Sequence, residues 1–277
     1  MRIAHVTHEY NPTISGVAKV VEELAERQAK AGHEVHIFTS DWDKNKRIKE
    51  QEEMINGVYV HRFKHIARAG NFSILYLSFF PMLIREKFDI IHSHVFGHLH
   101  FVLAALAAKL SNAKHIHTTH CPWTESYRST LARLGILISY NLFSRIALKF
   151  TDKIIAITPW EFDFINKYNK ENKIINIPNG MSEEFFKKIK NNYFKRKHRI
   201  KGSLVLFFGR LNITKGPDKF VEIAKLVLNQ RKDVCFVIRG PDEGMKDIVK
   251  RLIGKEKNII LLPETRNREE IIKMYQS

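Results

Sequence analysis

The chain has 277 residues, of which 44% are hydrophobic and 27% charged, a balance typical of globular proteins with room for two domains. Its formal net charge of +17 predicts an anionic ligand or surface. The sequence contains no zinc knuckle and no aromatic-interleaved basic motif, so we expect nucleic acid not to be a partner. Two distant cysteines, Cys121 and Cys235, and a strand pattern directly after Met1 favour a reduced, cytoplasmic location without a signal peptide.

The first 180 residues alternate between strand and helix patterns, which is typical of a parallel sheet flanked by helices. The first strand is predicted at 3–6. After a loop that ends at Ser15, a helix opens at Gly16 and ends at Ala31-Gly32. Further strands are predicted at 34–39, 58–63, 89–92, 115–118, 153–157 and 173–177, with helices at 97–110, 126–149 and 159–168.

Two apolar stretches are flanked by basic residues and could form amphipathic helices in a membrane interface. For 72–84, an interfacial helix and ordinary core packing both remain open. For 131–150 we favour core packing. Together with the net charge, these stretches lead to the hypothesis of peripheral attachment to an anionic membrane.

Histidines are concentrated near predicted strand ends, at positions 92, 94, 98, 100, 115, 117 and 120. Two HxH pairs could bind zinc, but carboxylate partners nearby are sparse. We therefore expect structural histidines and no metal.

A basic segment separates the two halves of the sequence. Eight Lys or Arg and no acidic residue lie between Lys187 and Lys201, which is typical of a solvated linker or exposed helix. The predicted organisation is a first domain at 1–182, a basic linker at 183–202 and a partial second domain at 203–277.

The most informative motif follows an apolar strand at 204–208. Gly209 allows close backbone approach, and two cations, Arg210 and Lys215, leave the carboxyl end of the strand together, where open α/β sheets bind ligands. A helix follows, with a predicted apolar stripe of Phe220, Ile223, Ala224, Val227 and Leu228. The pattern is typical of a diphosphate site, although an ordinary pair of βα units with cationic surface residues remains open.

Seven motifs in order make the chain resemble family 4 glycosyltransferases, two-domain enzymes of the GT-B fold. They are Ser15-Gly16-Val17, Gly32-His33-Glu34-Val35, Asp89-Ile90-Ile91-His92-Ser93-His94, His117-Thr118-Thr119-His120, Pro178-Asn179-Gly180-Met181, Gly209-Arg210-Leu211 with Lys215-Gly216, and Gly240-Pro241. The resemblance implies an α/β protein of two Rossmann-like, doubly wound domains that face a cleft, the second one incomplete.

The resemblance also assigns site residues. Catalytic roles fall on His120, Arg210 and Lys215; donor binding on Gly16, Gly209, Arg210, Lys215 and Gly240; and the acceptor side on Tyr10, Ser15, Gly16 and His120. His120 would touch the transferred sugar, and the two cations would hold the diphosphate.

The implied reaction is sugar transfer from a nucleotide-sugar to a lipid-linked or polysaccharide acceptor, with retention of configuration. Because cations would stabilise the leaving diphosphate, no metal or other cofactor is expected. Ser15 stands where the family usually has a second glycine, and the family's Glu-x7-Glu segment would follow Ser277, so a truncated chain is expected. The alternatives are an incomplete fragment that acts as a binding module, and a nucleotide-sugar epimerase of the same fold.

Overall fold

The computed structural model describes residues 1–13, 15–43, 46–69, 73–120, 130–168, 173–187, 192–265 and 267–277. The chain divides into two compact units, Met1–Gly180 (unit 1) and Met181–Ser277 (unit 2). Both are α/β structures with parallel strands, so the predicted fold class is confirmed. Cys121 and the start of the helix predicted at 126–149 lie outside the described residues.

Unit 1 contains twelve described strands. They are β1 (Arg2–Val6), β2 (Glu34–Ser40), β3 (Trp42–Asp43), β4 (Lys46–Arg47), β5 (Glu52–Ile55), β6 (Val58–Phe63), β7 (Ala67–Ala69), β8 (Ser73–Leu75), β9 (Ile90–His94), β10 (Lys114–Thr118), β11 (Lys153–Ala156) and β12 (Ile174–Asn176). Eight of them form one sheet in the order β12-β11-β10-β9-β1-β2-β6-β5. Every neighbouring pair is parallel except β5 with β6. The chain order reverses between β1 and β9, which is where open sheets of this kind bind ligands.

The helices of unit 1 are α1 (Gly16–Lys30), α2 (Phe80–Arg85), α3 (Leu99–Ser111), α4 (Thr130–Ile138), α5 (Arg145–Lys149) and α6 (Glu161–Asn166). A π-helical segment, Ser139–Ser144, joins α4 to α5. Helix α1 forms as predicted, since Ser15 caps it and its buried residues Ala18, Val21 and Ala25 repeat at helical spacing.

The two candidate membrane stretches differ in the burial of their apolar side chains. In 73–84, the aromatic and aliphatic side chains of Tyr76, Phe79 and Leu83 are buried in the core, so the interfacial interpretation is wrong there. Core packing predicted for 131–150 holds at its end, where Ala147 and Leu148 are buried. Core packing does not hold for α4 and the π-helical segment, where four apolar side chains form an exposed stripe: Leu134, Leu137, Ile138 and Leu142. No helix in the described part of the chain is both long and apolar enough to cross a bilayer.

Unit 2 has a three-stranded parallel sheet in the order β13-β14-β15, formed by β13 (Ser203–Phe208), β14 (Val234–Arg239) and β15 (Ile259–Leu262). Its helices are α7 (Tyr193–Lys197), α8 (Pro217–Gln230), α9 (Lys246–Ile253) and α10 (Arg268–Tyr275). Alternate residues of β14 face two separate cores, with Phe236 and Ile238 on the side of α8 and α9. Cys235 and Val237 lie on the side of α7 and α10.

Two sequence predictions need correction in unit 2. The described parts of 183–202 are not a linker, because a 3₁₀ turn (Glu183–Phe186) and α7 lie within the unit and Phe194 and Ile200 are buried in its core. The buried face of α8 includes Val221 in place of Ile223, which is exposed. The basic residues of this segment predicted a solvent-exposed stretch, although two apolar side chains within it are buried.

Candidate functional site

The site residues predicted in unit 1 follow the carboxyl ends of neighbouring strands. Ser15 and Gly16 follow β1, and His120 follows β10, with β9 between these two strands in the sheet. Because the carboxyl ends of parallel strands share one edge of a sheet, these residues lie at the edge where the strand order reverses.

Ser15 and Gly16 form the start of α1. The Ser15 hydroxyl accepts a hydrogen bond from the backbone N–H of Ala18 at 3.0 Å, so it serves as the helix N-cap. A Cβ on Gly16 would have no heavy atom within 4 Å, so the fold itself does not need glycine there. The N-terminus of α1 carries partial positive charge and has no acidic residue in its first turn, which leaves it able to receive an anion.

Tyr10 does not present its side chain as an acceptor contact. It is 2% exposed and packs against Val21, Ile37 and Val60 in the core. Burial raises the pKa of its hydroxyl and keeps it neutral. Only the backbone of Tyr10 remains available for its predicted acceptor-side role.

His120 is partly exposed and has a left-handed backbone, with φ at 57°. Such values are uncommon outside glycine and concentrate at functional sites. Its Nε2 lies 3.0 Å from Nδ1 of the buried His94. Burial lowers the pKa of His120 to about 4, so the imidazole is neutral at pH 7.

Of the other histidines predicted near strand ends, His98 is partly exposed, whereas the rest are buried and hydrogen-bonded. His115 and His117 both contact the hydroxyl of Ser93, at 3.0 and 2.8 Å. Nitrogen atoms of His5, His92 and His94 lie within 4.8 Å of one another, so this trio could hold a metal ion by distance alone. Among the described residues, no carboxylate belongs to that group.

In unit 2, Gly209 and Gly240 follow two neighbouring strands and their backbones touch. A Cβ on Gly240 would lie 1.8 Å from the Gly209 carbonyl oxygen, so no side chain fits. The neighbouring loops are joined by a hydrogen bond from Leu211 N–H to the Pro241 carbonyl at 2.8 Å. The structure thus gives Gly240 a packing role, because only a glycine there lets the loop that carries the two cations lie against it.

Arg210 is held by a carboxylate from the second loop. Its Nη1 donates to the two oxygens of Glu243 at 3.3 and 3.1 Å, and the Asn212 amide donates to the same carboxylate at 2.8 Å. About a third of each charged side chain is exposed (35% and 29%). Since the Arg210 side chain forms no other hydrogen bond within the described residues, its Nη2 and Nε remain as donors for a ligand.

Lys215 is exposed, and its ammonium has no ion-pair partner within the described part of the chain. Its backbone N–H donates to Asn212 Oδ1 at 3.1 Å. Gly216 follows with φ at 66°, and Pro217 begins α8. The left-handed turn explains the glycine here, because an L side chain would be strained at this φ.

Asn212 and Glu243 were not identified from the sequence. Together they organise the loop, since Asn212 binds the Lys215 backbone and Glu243 binds Arg210. The only local signal was Asn212 itself, whose side chain favours turns. Glu243 lies 31 residues from Asn212, so nothing local indicated their contact.

A family model described as Glycosyltransferase Family 4 matches residues 14–185. An uncharacterised glycosyltransferase of Methanocaldococcus jannaschii is 28% identical over 100% of this chain and 73% of its own length. UDP-Gal:alpha-D-GlcNAc-diphosphoundecaprenol alpha-1,3-galactosyltransferase of Escherichia coli is 27% identical over 90% of this chain and 64% of its own length.

The chain is similar in structure to HepE of Anabaena, which was solved in complex with UDP. The TM-score is 0.72 at 14% identity, and the match covers 99% of this chain and 71% of HepE. At this identity, the similarity concerns the fold. The chain spans about two thirds to three quarters of the length of these relatives.

Proposed function

Because this chain belongs to glycosyltransferase family 4, we propose that its two loop cations bind the diphosphate of a nucleotide-sugar whose sugar is transferred to a lipid-linked or glycan acceptor. The observation that carries the proposal is the loop after β13, where Arg210 and Lys215 leave one strand end with their donors available. Breaking the bond between sugar and phosphate builds negative charge on the leaving diphosphate. Fixed cations stabilise that charge more strongly than the ground state, which accelerates the reaction.

Glu243 supports the role of Arg210 by fixing it through one nitrogen. The guanidinium is a planar fork, and the edge formed by Nη2 and Nε suits bidentate binding of a phosphate. Removing one such cation costs about 3 to 4 kcal/mol of transition-state stabilisation, or some hundredfold in rate. In this proposal, the cations of the protein do the work that a metal ion does in other enzymes.

We propose that His120 contacts the transferred sugar. His120 is neutral at pH 7, since burial lowers its pKa to about 4, so it acts as a hydrogen-bonding group and not as a charge. As the family resemblance implies, we expect retention of anomeric configuration through front-face attack, with a leaving phosphate oxygen as the base in place of a pair of catalytic carboxylates.

A lipid-linked acceptor is supported by two observations. The similar E. coli galactosyltransferase acts on a diphosphoundecaprenol-linked sugar. In this chain, the exposed stripe of Leu134, Leu137, Ile138 and Leu142 presents apolar side chains from a protein of net charge +17. An apolar helix face on a basic protein suits the surface of an anionic membrane. We therefore propose a cytoplasmic protein attached peripherally to that surface.

The decisive experiment incubates the chain with several nucleotide-sugars, with and without a diphosphate-polyprenol-linked acceptor. Transfer predicts that nucleoside diphosphate is released only when the acceptor is present. An epimerase would form a new sugar isomer without acceptor, and a binding module would bind the acceptor and release nothing. Arg210→Ala should slow release at least about a hundredfold. Arg231→Ala, which removes an exposed arginine paired with Asp233, should leave the rate unchanged.

Membrane attachment is tested separately by flotation with anionic vesicles at low salt. Leu137→Ser within the stripe should weaken binding, and the matched control Leu226→Ser, an exposed leucine of α8, should leave it unchanged. Equal binding of both variants would remove the stripe from the proposal, while failure of the wild type to bind would remove membrane attachment.

A further inference from the structure

Four side chains form a continuous hydrogen-bonded line through unit 1, here called the histidine relay: Gln28, His5, His94 and His120. The Gln28 Oε1 lies 2.7 Å from His5 Nε2. His5 Nδ1 lies 3.0 Å from His94 Nε2. His94 Nδ1 lies 3.0 Å from His120 Nε2. Each ring in the middle of the line uses both of its nitrogens.

The strand order explains why these residues meet. His5 lies in β1 and His94 ends β9, and these strands are parallel neighbours. Gln28 comes from the last turn of α1, and His120 follows β10, the next neighbour of β9. The relay therefore runs from a helix through two buried strand positions to a partly exposed loop residue.

All three imidazoles are neutral at pH 7. Burial lowers the pKa of His5 and of His120 to about 4. Burial and neighbouring histidines lower the pKa of His94 well below its usual value. A neutral imidazole has one N–H donor and one acceptor nitrogen, so a line of such rings has a direction.

The Gln28 amide oxygen sets that direction, because an oxygen only accepts. His5 Nε2–H donates to it, which leaves His5 Nδ1 to accept from His94 Nε2–H. His94 Nδ1 then accepts from His120 Nε2–H. We propose that Gln28, His5 and His94 are positioning residues that hold His120 as its Nε2–H tautomer, so that its Nδ1 is a hydrogen-bond acceptor for a hydroxyl of the transferred sugar.

The contact between His120 Nδ1 and a sugar hydroxyl rests on the proposed function, whereas the Nε2–H tautomer of His120 does not. An acceptor nitrogen at a fixed place selects a ligand that offers a donor, and sugar hydroxyls are such donors. The left-handed backbone of His120 agrees with a residue whose ring is held in place by its surroundings. The relay adds an orienting layer behind the residue that would contact the sugar.

A metal ion bound by His5, His92 and His94 is the competing use of the same atoms. Such an ion would replace the proton that His94 donates to His5, and the relay would lose its direction. The observed geometry satisfies both nitrogens of His5 and of His94 with hydrogen bonds at normal distances. His92 is bonded separately, to the Thr118 hydroxyl at 2.8 Å.

The test is ¹⁵N NMR of the full chain labelled in its histidines, with the His120 signals identified by their loss in His120→Gln. We expect the signature of a protonated Nε2 and an unprotonated Nδ1 for His120. Gln28→Leu should convert His120 to a mixture of tautomers. Gln28→Glu, which also places an accepting oxygen at this position, should preserve the single tautomer. Ser93→Ala perturbs the separate His115 and His117 pair and should leave His120 unchanged.

A protonated Nδ1 in wild-type His120, or a tautomer unaffected by Gln28→Leu, would overturn the proposal. One tightly bound zinc per purified chain would overturn it as well. A second readout tests the ligand clause, since Gln28→Leu should weaken binding of a nucleotide-sugar about three- to tenfold, the effect of one hydrogen bond, and spare binding of the nucleoside diphosphate alone. An unchanged ratio of the two affinities, with the tautomer shifted as expected, would refute the sugar contact and leave the relay intact.

Discussion

Replacing Gly240 with alanine should separate two strand ends of unit 2. The new Cβ would lie 1.8 Å from the Gly209 carbonyl oxygen and 2.6 Å from its carbonyl carbon. Both neighbours are backbone atoms, so relief requires movement of the loop after β13 away from β14. That movement strains the hydrogen bonds from Gly209 N–H to Arg239 and from Leu211 N–H to Pro241, which measure 3.1 and 2.8 Å.

The expected free-energy cost follows from these contacts. Overpacking of a tight site costs about 1 to 3 kcal/mol. Each weakened backbone hydrogen bond adds about 1 kcal/mol. We therefore expect unit 2 to lose about 3 to 5 kcal/mol of stability, which corresponds to a fall of at least about 12 °C in the melting temperature of a domain of this size.

Hydrogen exchange is the appropriate assay, because all three tryptophans of the chain, at 42, 123 and 160, precede unit 2. Gly240→Ala should accelerate amide exchange in peptides that cover β13 and β14 and should weaken binding of a nucleoside diphosphate. Gly209→Ala is the matched control for the exchange measurement alone, since its Cβ would meet only a Phe207 ring carbon at 3.9 Å. Wild-type exchange in Gly240→Ala would refute the reasoning.

Three further predictions concern single residues. Ser15→Ala removes the cap of α1 and should cost about 1 kcal/mol in urea unfolding, whereas Ser15→Asp should retain most of that stability; equal losses would contradict the capping role. Gly16→Ala meets no atom within 4 Å, so its stability should match wild type in the same assay while calorimetry shows weaker ligand binding, and unaltered binding would exclude Gly16 from the site. The pKa of Glu270 is lowered from 4.5 to about 2, chiefly by the hydrogen bond that Lys197 donates to its carboxylate. The ionised carboxylate therefore stabilises the folded state fully above about pH 4.5, and this contribution is lost as the pH falls toward 2. Glu270→Gln should therefore be less stable than wild type at pH 7, with a difference that shrinks across that range, and a constant difference would refute the linkage.

Periodicity in the sequence was sufficient for α1 and for the seven mutually parallel strands of the eight-stranded sheet. The strand at Val58–Phe63 was predicted with its observed bounds, because the turn residues Asn56-Gly57 directly precede it. The antiparallel partner β5 was missed, although Asn56-Gly57 between Ile55 and Val58 is a strong hairpin signal. Both turn residues have positive φ, at 50° and 83°, as that turn type requires.

Burial could not be predicted where polar neighbours masked it. Phe194 lies in a run of lysines and arginines, yet it is 1% exposed because α7 packs with α10 against the sheet of unit 2. Conversely, Leu137 has an apolar sequence context but is exposed. Composition alone reports which residues can be buried, and only the packing of distant elements decides which ones are.

The sequence indicated the two cations of the candidate site but not the residues that hold the site residues in place. Arg210 and Lys215 stand in one short segment, so their shared strand end was readable. Glu243 and the pair of His5 with His94 act through contacts across 33 and 89 residues, which no local pattern encodes. The same holds for the steric contact between Gly209 and Gly240.

Calorimetric titration of the full chain with a nucleoside diphosphate, in the presence of a metal chelator, tests the central claim most directly. The account predicts that wild type and Arg231→Ala bind alike, and that Arg210→Ala binds at least tenfold more weakly because a charge-assisted contact to phosphate is lost. Binding that is absent from the wild type, that requires a metal ion, or that survives unchanged in Arg210→Ala would contradict it.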